Sequence, residues 1–128
     1  MLGAVQISLL YAGLMGLLAV LLANYVLYVR LRARRVPAWQ PNAAERVQAN
    51  FVENVPLALI LLVLVELGGS PKLFVHVCGA SLVVLRVLHA YGLARNEGAN
   101  YPRLIGAQGT FVLLAVLASM AVLLALAA

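Results

Sequence analysis

Ionisable and amide side chains recur at helical spacing inside two otherwise apolar segments of the chain. In ERVQANFVENVPLALILL, the residues Arg46, Asn50 and Glu53 stand at positions i, i+4 and i+7, which share one face of a helix. In RVLHAYG, Arg86 and His89 stand at i and i+3 and also share a face. Charged groups inside a membrane are costly, so they usually face a bundle interior or a watery cavity and have partners. The two faces therefore predict a polar site.

At the depth of these residues, positively charged side chains outnumber negatively charged ones. Four arginines stand at one end of their segments: Arg30, Arg46, Arg86 and Arg103. They face essentially one deep acid, Glu53, because Glu66 belongs to the opposite end of its segment. Arginine binds carboxylates in bidentate fashion, so the surplus predicts a small anionic ligand that carries carboxylates. The alternative is an internal ion pair, for instance Glu53 with Arg86, that fixes the helix register without any ligand.

The segments that carry these residues are long and apolar enough to cross a membrane. The 128-residue chain is 65% hydrophobic and 10% charged, which lies outside the range of soluble globular proteins. Residues 1–29 and 104–128 contain no charged side chain, and 47–67 and 73–94 contain few. A bilayer core of about 30 Å requires about 20 residues of helix, and runs such as LALILLVLV do not alternate as barrel strands would. The sequence therefore predicts an integral membrane protein.

Proline, glycine and polar residues separate the apolar segments from one another. The pattern predicts a single domain over residues 1–128 that is all-α, a bundle of four transmembrane helices. The expected helices lie near 3–31, 42–67, 71–94 and 101–126.

Basic residues are concentrated beside two of the three loops. Arg30, Arg32, Arg34, Arg35 and Arg46 lie in or beside the first loop and Arg95 and Arg103 flank the third, whereas the second contains only Lys72. By the positive-inside rule, this asymmetry places loops one and three in the cytoplasm and both termini on the non-cytoplasmic side. The net charge of +5 then reflects topology, and we expect no nucleic-acid binding because the chain has no soluble domain to receive it.

The sequence offers no pattern for a metal site. Cys78 is the single cysteine, so it forms neither an intramolecular disulfide nor a zinc site built from cysteines. His76 lacks a second metal ligand at suitable spacing, and we expect it to be a hydrogen-bonded residue at a helix contact.

Three segments of the sequence are distinctive when taken together: VRLR at the end of the first helix, RVQANFVENVPL at the start of the second and RVLHAYG in the third. They resemble the MAPEG family, the membrane-associated proteins in eicosanoid and glutathione metabolism, and within it the small bacterial members. The most specific part of the likeness is the spacing of Arg46, Asn50, Glu53 and Pro56 at the head of the second of four spans.

The resemblance implies a homotrimer that binds glutathione, as co-substrate, between neighbouring subunits near the cytoplasmic face. Carried over by position, the residues that hold glutathione are Arg30, Arg46, Asn50, Glu53, Arg86 and His89. Glu53 falls at the position that meets the amino end of the tripeptide. Arg103 matches the arginine beside the thiol in family enzymes and is the expected catalytic residue. The chain departs from the family at Leu93, where catalytic relatives often carry a tyrosine.

The resemblance thus implies a glutathione-dependent transferase or peroxidase in a bacterial inner membrane. A thiol with a pKa of about 8.5 is mostly protonated at neutral pH, and a neighbouring cation raises the fraction of nucleophilic thiolate. The expected substrates are lipophilic electrophiles or lipid hydroperoxides. Two other functions stay open: a non-catalytic MAPEG-type protein that binds a lipid or a partner, and a small multidrug exporter. The exporter class carries a glutamate in its first helix, whereas residues 1–29 contain no acid.

Overall fold

The computed structural model describes the backbone of residues 2–33, 41–95 and 101–128, and the side chains of 3–32, 45–46, 48–92 and 101–128. A short 3-10 turn, Leu2–Ala4, precedes four helices: α1 (Gln6–Ala33), α2 (Pro41–Leu67), α3 (Lys72–Arg95) and α4 (Tyr101–Ala127). The observed helix limits differ from the expected ones by three residues at most.

Each helix is long and apolar enough to cross a bilayer. The stretches with this property are Gln6–Arg32, Gln48–Leu67, Lys72–Gly92 and Tyr101–Ala127. Over the described ranges, the prediction of an all-helical protein with four helices suited to span a membrane is therefore confirmed.

The two middle helices form the centre of the bundle. Both α2 and α3 contact all three of the other helices. Each helix contributes at least one side chain that is no more than 1% exposed to the buried core, among them Met15, Leu62, Leu82 and Leu117. Because α3 is central, its buried polar residues Arg86 and His89 lie where side chains from the other helices can reach them.

The outer faces of all four helices are apolar and exposed. Large hydrophobic side chains such as Leu17, Ile60, Val84 and Leu123 lie on these faces, one on each helix. Contiguous apolar surface of this extent is rare on soluble monomers and is expected where a protein faces lipid or another subunit. The surface therefore agrees with the membrane assignment that the composition predicted.

A tight turn joins α2 to α3, and it depends on glycine. Gly69 has a φ of 88°, which is the left-handed region that glycine adopts without steric cost. The amide of Gly69 donates to the carbonyl of Glu66, and the amide of Ser70 donates to the carbonyl of Val65, both at 3.1 Å. This pair of bonds is the Schellman arrangement that ends a helix. We call this end of the bundle the turn end.

Two polar contacts at the turn end attach the start of α1 to its neighbours. The Glu66 carboxylate accepts hydrogen bonds from the amide of Ile7 at 3.0 Å, from the amide of Ser8 at 2.7 Å and from the Ser8 hydroxyl. It thus satisfies amides in the first turn of α1, which have no partner within the helix. The Tyr11 hydroxyl lies 3.1 Å from Nδ1 of His76 on α3, so His76 is hydrogen-bonded at a helix contact, as expected.

Candidate functional site

The polar residues that the sequence nominated for a site lie at the end of the bundle opposite the turn end. The helices alternate in direction, so the carboxyl ends of α1 and α3 meet the amino ends of α2 and α4. An ion pair joins Arg30 on α1 to Glu45 on α2, and Gly106 on α4 lies against His89 on α3. We call this the arginine end.

Arg86 is the most unusual residue at the arginine end, because it is a charged side chain that is only 1% exposed. Its Nη1 atom lies 3.4 Å from the Thr110 hydroxyl, and its Nη2 atom lies 3.5 Å from Nδ1 of His89. The guanidinium carbon lies 5.8 Å from the centre of the Phe51 ring, which is a cation–π distance. All three contacts are with uncharged groups when His89 is neutral.

No described carboxylate forms an ion pair with Arg86. Its Nε atom is also buried without a hydrogen-bond partner among the described residues. An unpaired charge inside a protein carries a desolvation cost of several kcal/mol. The described residues therefore hold the guanidinium in place without neutralising its charge. An anionic group could bind it there.

Close packing of α4 against α3 holds Arg86 in position. A side-chain carbon added at Gly106 would lie 2.6 Å from the amide nitrogen of His89 and from the carbonyl of Leu85. Glycine at this position is thus required for the approach of the two helix backbones. One turn further along α4, the Thr110 hydroxyl donates to the carbonyl of Gly106 at 2.6 Å and accepts from Arg86.

His89 lies beside two arginines. Its side chain is 3% exposed, its Nδ1 atom lies 3.5 Å from Nη2 of Arg86, and Arg103 is near enough for a Coulomb interaction with the imidazole. Arg103 is half-buried near the start of α4. The structure thus brings together three of the residues that the sequence nominated: Arg86, His89 and Arg103.

The ion pair of Arg30 changes the charge balance that the sequence predicted. Its Nη2 atom lies 2.8 Å from Oε1 of Glu45, and its Nε atom lies 2.9 Å from the same oxygen. The expectation that the arginines at this depth face only Glu53 is therefore wrong, because it overlooked Glu45. Both partners are partly exposed, so water screens this ion pair and its contribution to stability is small.

The nominated residues on α2 divide into two environments. Arg46 and Glu53 are exposed, whereas the Oδ1 atom of Asn50 is buried and has no hydrogen-bond partner in the described part of the chain. The alternative ion pair between Glu53 and Arg86 is not formed. A buried amide oxygen without a partner costs about 1–3 kcal/mol, so Asn50 is a second group that a ligand could satisfy.

Sequence reasoning missed the uncharged partners of Arg86, which are Thr110 and Phe51. Thr110 stands apart in sequence as a hydroxyl within an apolar helix, but nothing in its spacing relates it to Arg86. Leu93 lies in α3, but its side chain is outside the described residues, as are the basic residues of the first loop at 34–40. Over the described residues, no group of three or more metal-binding side chains is present.

The chain is similar to known proteins along most of its length. A model of the MAPEG family matches residues 8–123. Two relatives are 35% identical to the chain over 93 residues, which make up 68% of this chain and 70% of each relative. Both carry the name inner membrane protein YecN, one from Escherichia coli strain K12 and the other from Escherichia coli O6:H1. No solved structure matches the chain significantly.

Proposed function

The chain belongs to the MAPEG family, and on this premise we propose that it is a membrane-bound glutathione-dependent enzyme. It acts as a transferase or a peroxidase on lipophilic electrophiles or lipid hydroperoxides, and the arginine end holds the tripeptide. The observation that carries this proposal is the buried guanidinium of Arg86, which no described carboxylate neutralises.

Charge at the arginine end favours an anionic ligand. Because Arg30 is paired with Glu45, the described residues of the arginine end leave Arg46 and Arg86 against the carboxylate of Glu53. Glutathione carries two carboxylates and one ammonium group, so it brings the negative charge that this surplus lacks. A carboxylate on Arg86 gains a charge-assisted hydrogen bond and offsets the desolvation of the guanidinium.

Each residue of the proposed site has a role that its chemistry permits. The arginines Arg30, Arg46 and Arg86 bind the carboxylates of the tripeptide, and Glu53 meets its ammonium group. The side-chain amide of Asn50, whose Oδ1 atom is buried, and the imidazole of His89 bind its peptide groups. For Arg30 to take part, the ligand carboxylate must compete with Glu45 for the guanidinium.

We further propose that the site is completed by a neighbouring subunit of a homotrimer. In one copy of the chain, Arg46 and Glu53 are exposed while Arg86 and His89 are buried. A ligand that uses both sets is enclosed only when another subunit covers the exposed set. The apolar outer faces of the helices supply surface for such a contact as well as for lipid.

We propose that the arginine end lies on the cytoplasmic side of the membrane and both termini on the other side. The arginines of the first and third loops support this orientation through the positive-inside rule. The YecN relatives, which are named as inner membrane proteins, support the same membrane for this chain.

The chemistry proceeds through the thiolate. The thiol gives its proton to solvent, and the charge of Arg103 stabilises the sulfur anion that remains.

In the transferase reaction, the sulfur forms a bond to an electrophilic carbon while the leaving group departs with its electron pair. In the peroxidase reaction, it attacks a hydroperoxide oxygen, the O–O bond breaks and the lipid leaves as an alcohol after protonation. A second glutathione then displaces water from the oxidised sulfur and forms the disulfide.

The proposal is tested by thermal unfolding of the purified protein in detergent with glutathione, with S-methylglutathione and with the dipeptide cysteinylglycine. Glutathione and S-methylglutathione share both carboxylates and are expected to raise Tm with similar affinity, whereas cysteinylglycine is expected to have little effect. Turnover of glutathione with a model electrophile and with a lipid hydroperoxide then separates a transferase from a peroxidase. Stabilisation without turnover would assign a non-catalytic binding protein, and no stabilisation by either peptide would contradict the proposal.

A further inference from the structure

A polar pocket lies at the turn end, on the opposite side of the membrane from the arginine end. It has a volume of about 400 Å³ and lies between the starts of α1 and α3 and the end of α2. Polar side chains in its wall are Gln6, Glu66, Lys72 and His76. None of these residues belongs to the proposed glutathione site, so this pocket calls for its own explanation.

Two opposite charges line the pocket without pairing. Glu66 and Lys72 both contribute to its wall, yet they form no ion pair with each other in the described structure. Glu66 is held by its bonds to the first turn of α1, and its Oε1 atom accepts one hydrogen bond there, so it retains capacity for another donor. The pocket therefore presents a fixed anion and a separate cation to the same ligand.

Lys72 lies at a position where two general rules do not favour a lysine. It is the first residue of α3, where the helix dipole favours negative charge. It is also the single basic residue of the second loop, which the positive-inside rule keeps poor in lysine and arginine. Neither helix stability nor topology accounts for it, whereas an anionic ligand in the pocket does.

His76 supplies a second donor beside Lys72. When the Tyr11 hydroxyl donates to Nδ1 of His76, the neutral ring carries its proton on Nε2. That nitrogen is then a hydrogen-bond donor for an anionic oxygen. The contact with Tyr11 also restricts the orientation of the ring, so the donor is held in place before a ligand arrives.

The pocket lies at the depth of lipid headgroups. Gln6 and Lys72 are the first residues of two membrane-spanning stretches, so the pocket opens where the apolar core of the bilayer begins. Leu10, one turn further into the membrane on α1, is 51% exposed and also lines the pocket. A ligand here meets charged groups at one end and an apolar side chain at the other.

We propose that this pocket binds a zwitterionic phospholipid with a primary ammonium headgroup. Its phosphate contacts Lys72 and the imidazole of His76, its ammonium group donates to Glu66, and an acyl chain lies against Leu10. A lipid with an anionic glycerol headgroup leaves Glu66 without a cation. A choline headgroup has no N–H to donate, so it makes the weaker contact with the carboxylate.

The test is lipid retention measured by native mass spectrometry, together with Tm, for the full-length protein in detergent with defined lipids added. Phosphatidylethanolamine is expected to be retained about tenfold more tightly than phosphatidylcholine or phosphatidylglycerol with the same acyl chains, a difference that one good hydrogen bond can supply. Soluble glycerophosphoethanolamine, which has the headgroup without acyl chains, is expected to give little stabilisation.

Variants locate the lipid on the chain. Lys72→Gln removes the contact with the phosphate, which all three lipids share, so it is expected to lower the retention of each of them several-fold. Arg32→Gln removes one positive charge from the opposite end of the bundle and is expected to leave the retention of all three lipids unchanged. Glu66→Gln is not informative alone, because Glu66 also caps α1. Equal retention of the three lipids by the parent protein, unchanged retention of phosphatidylethanolamine by Lys72→Gln, or equal stabilisation by the soluble headgroup would each overturn the proposal.

Discussion

The Nη1 atom of Arg86 donates to the Thr110 hydroxyl across 3.4 Å, and that hydroxyl donates in turn to the carbonyl of Gly106 at 2.6 Å. The hydroxyl thus connects a buried cation on α3 to the backbone of α4. It is a neutral group, so it orients the guanidinium without cancelling its charge. In the proposed site, Thr110 is therefore a positioning residue for Arg86.

Replacing Thr110 by valine tests this positioning role. Thr110→Val keeps the shape of the side chain but removes the acceptor, which leaves a buried N–H unpaired at a cost of about 1–3 kcal/mol in unfolding free energy. We expect the KM for glutathione to rise several-fold while kcat changes little. Thr110→Ser retains the hydroxyl and is expected to restore KM. An equal rise in KM for the valine and serine variants would show that the hydroxyl does not position Arg86.

Replacing Arg86 itself separates stability from ligand binding. In Arg86→Met, the unpaired buried charge is removed, so we expect Tm of the ligand-free protein to stay the same or rise. Glutathione affinity is expected to fall by about tenfold to a hundredfold, which corresponds to a lost charged hydrogen bond. Arg32→Met is the matched control at an exposed position and is expected to keep both values near those of the parent. A large drop in Tm of ligand-free Arg86→Met, with affinity retained, would assign Arg86 a structural role.

Two glutamates of α2 are expected to respond in opposite directions. Glu45→Gln releases Arg30 from its ion pair, so the guanidinium no longer has to exchange one carboxylate for another, and glutathione affinity is expected to rise a few-fold. Glu53→Gln removes the proposed partner of the ligand ammonium and is expected to lower affinity. Both variants remove one negative charge, so a general electrostatic effect would change their affinities in the same direction. Isothermal titration of both variants with glutathione therefore separates specific contacts from that general effect. Changes of the same sign would contradict these assignments.

Arg103 is expected to act on rate more than on binding. Arg103→Gln removes the charge that stabilises the thiolate, so conjugation of a model electrophile at neutral pH should fall while glutathione binding is largely kept. At higher pH, where the thiol ionises without help, the difference between the variant and the parent should narrow. A variant that loses binding and rate together, with no change in pH dependence, would rule out the role given to Arg103.

The sequence predicted the fold well because membrane spans depend on long apolar runs, which are read directly from composition. It also placed Arg86 and His89 on one face, since a spacing of three residues within a helix fixes their relation. It did not reveal that Glu45 forms an ion pair with Arg30 or that the Thr110 hydroxyl accepts a hydrogen bond from Arg86, because these contacts join different helices. Contacts between helices depend on the rotation and depth of each helix, and Gly106 sets that relation for α3 and α4 through a close approach that local spacing does not encode.

The most direct test of the central claim is the ultraviolet absorbance of thiolate during a titration of the purified protein with glutathione near pH 7. If the arginine end binds glutathione and stabilises its anion, thiolate absorbance appears and saturates with the same midpoint as the rise in Tm. S-methylglutathione should raise Tm without producing the absorbance. A saturating rise in Tm with no thiolate would indicate a binding protein, and the absence of both signals would contradict the account.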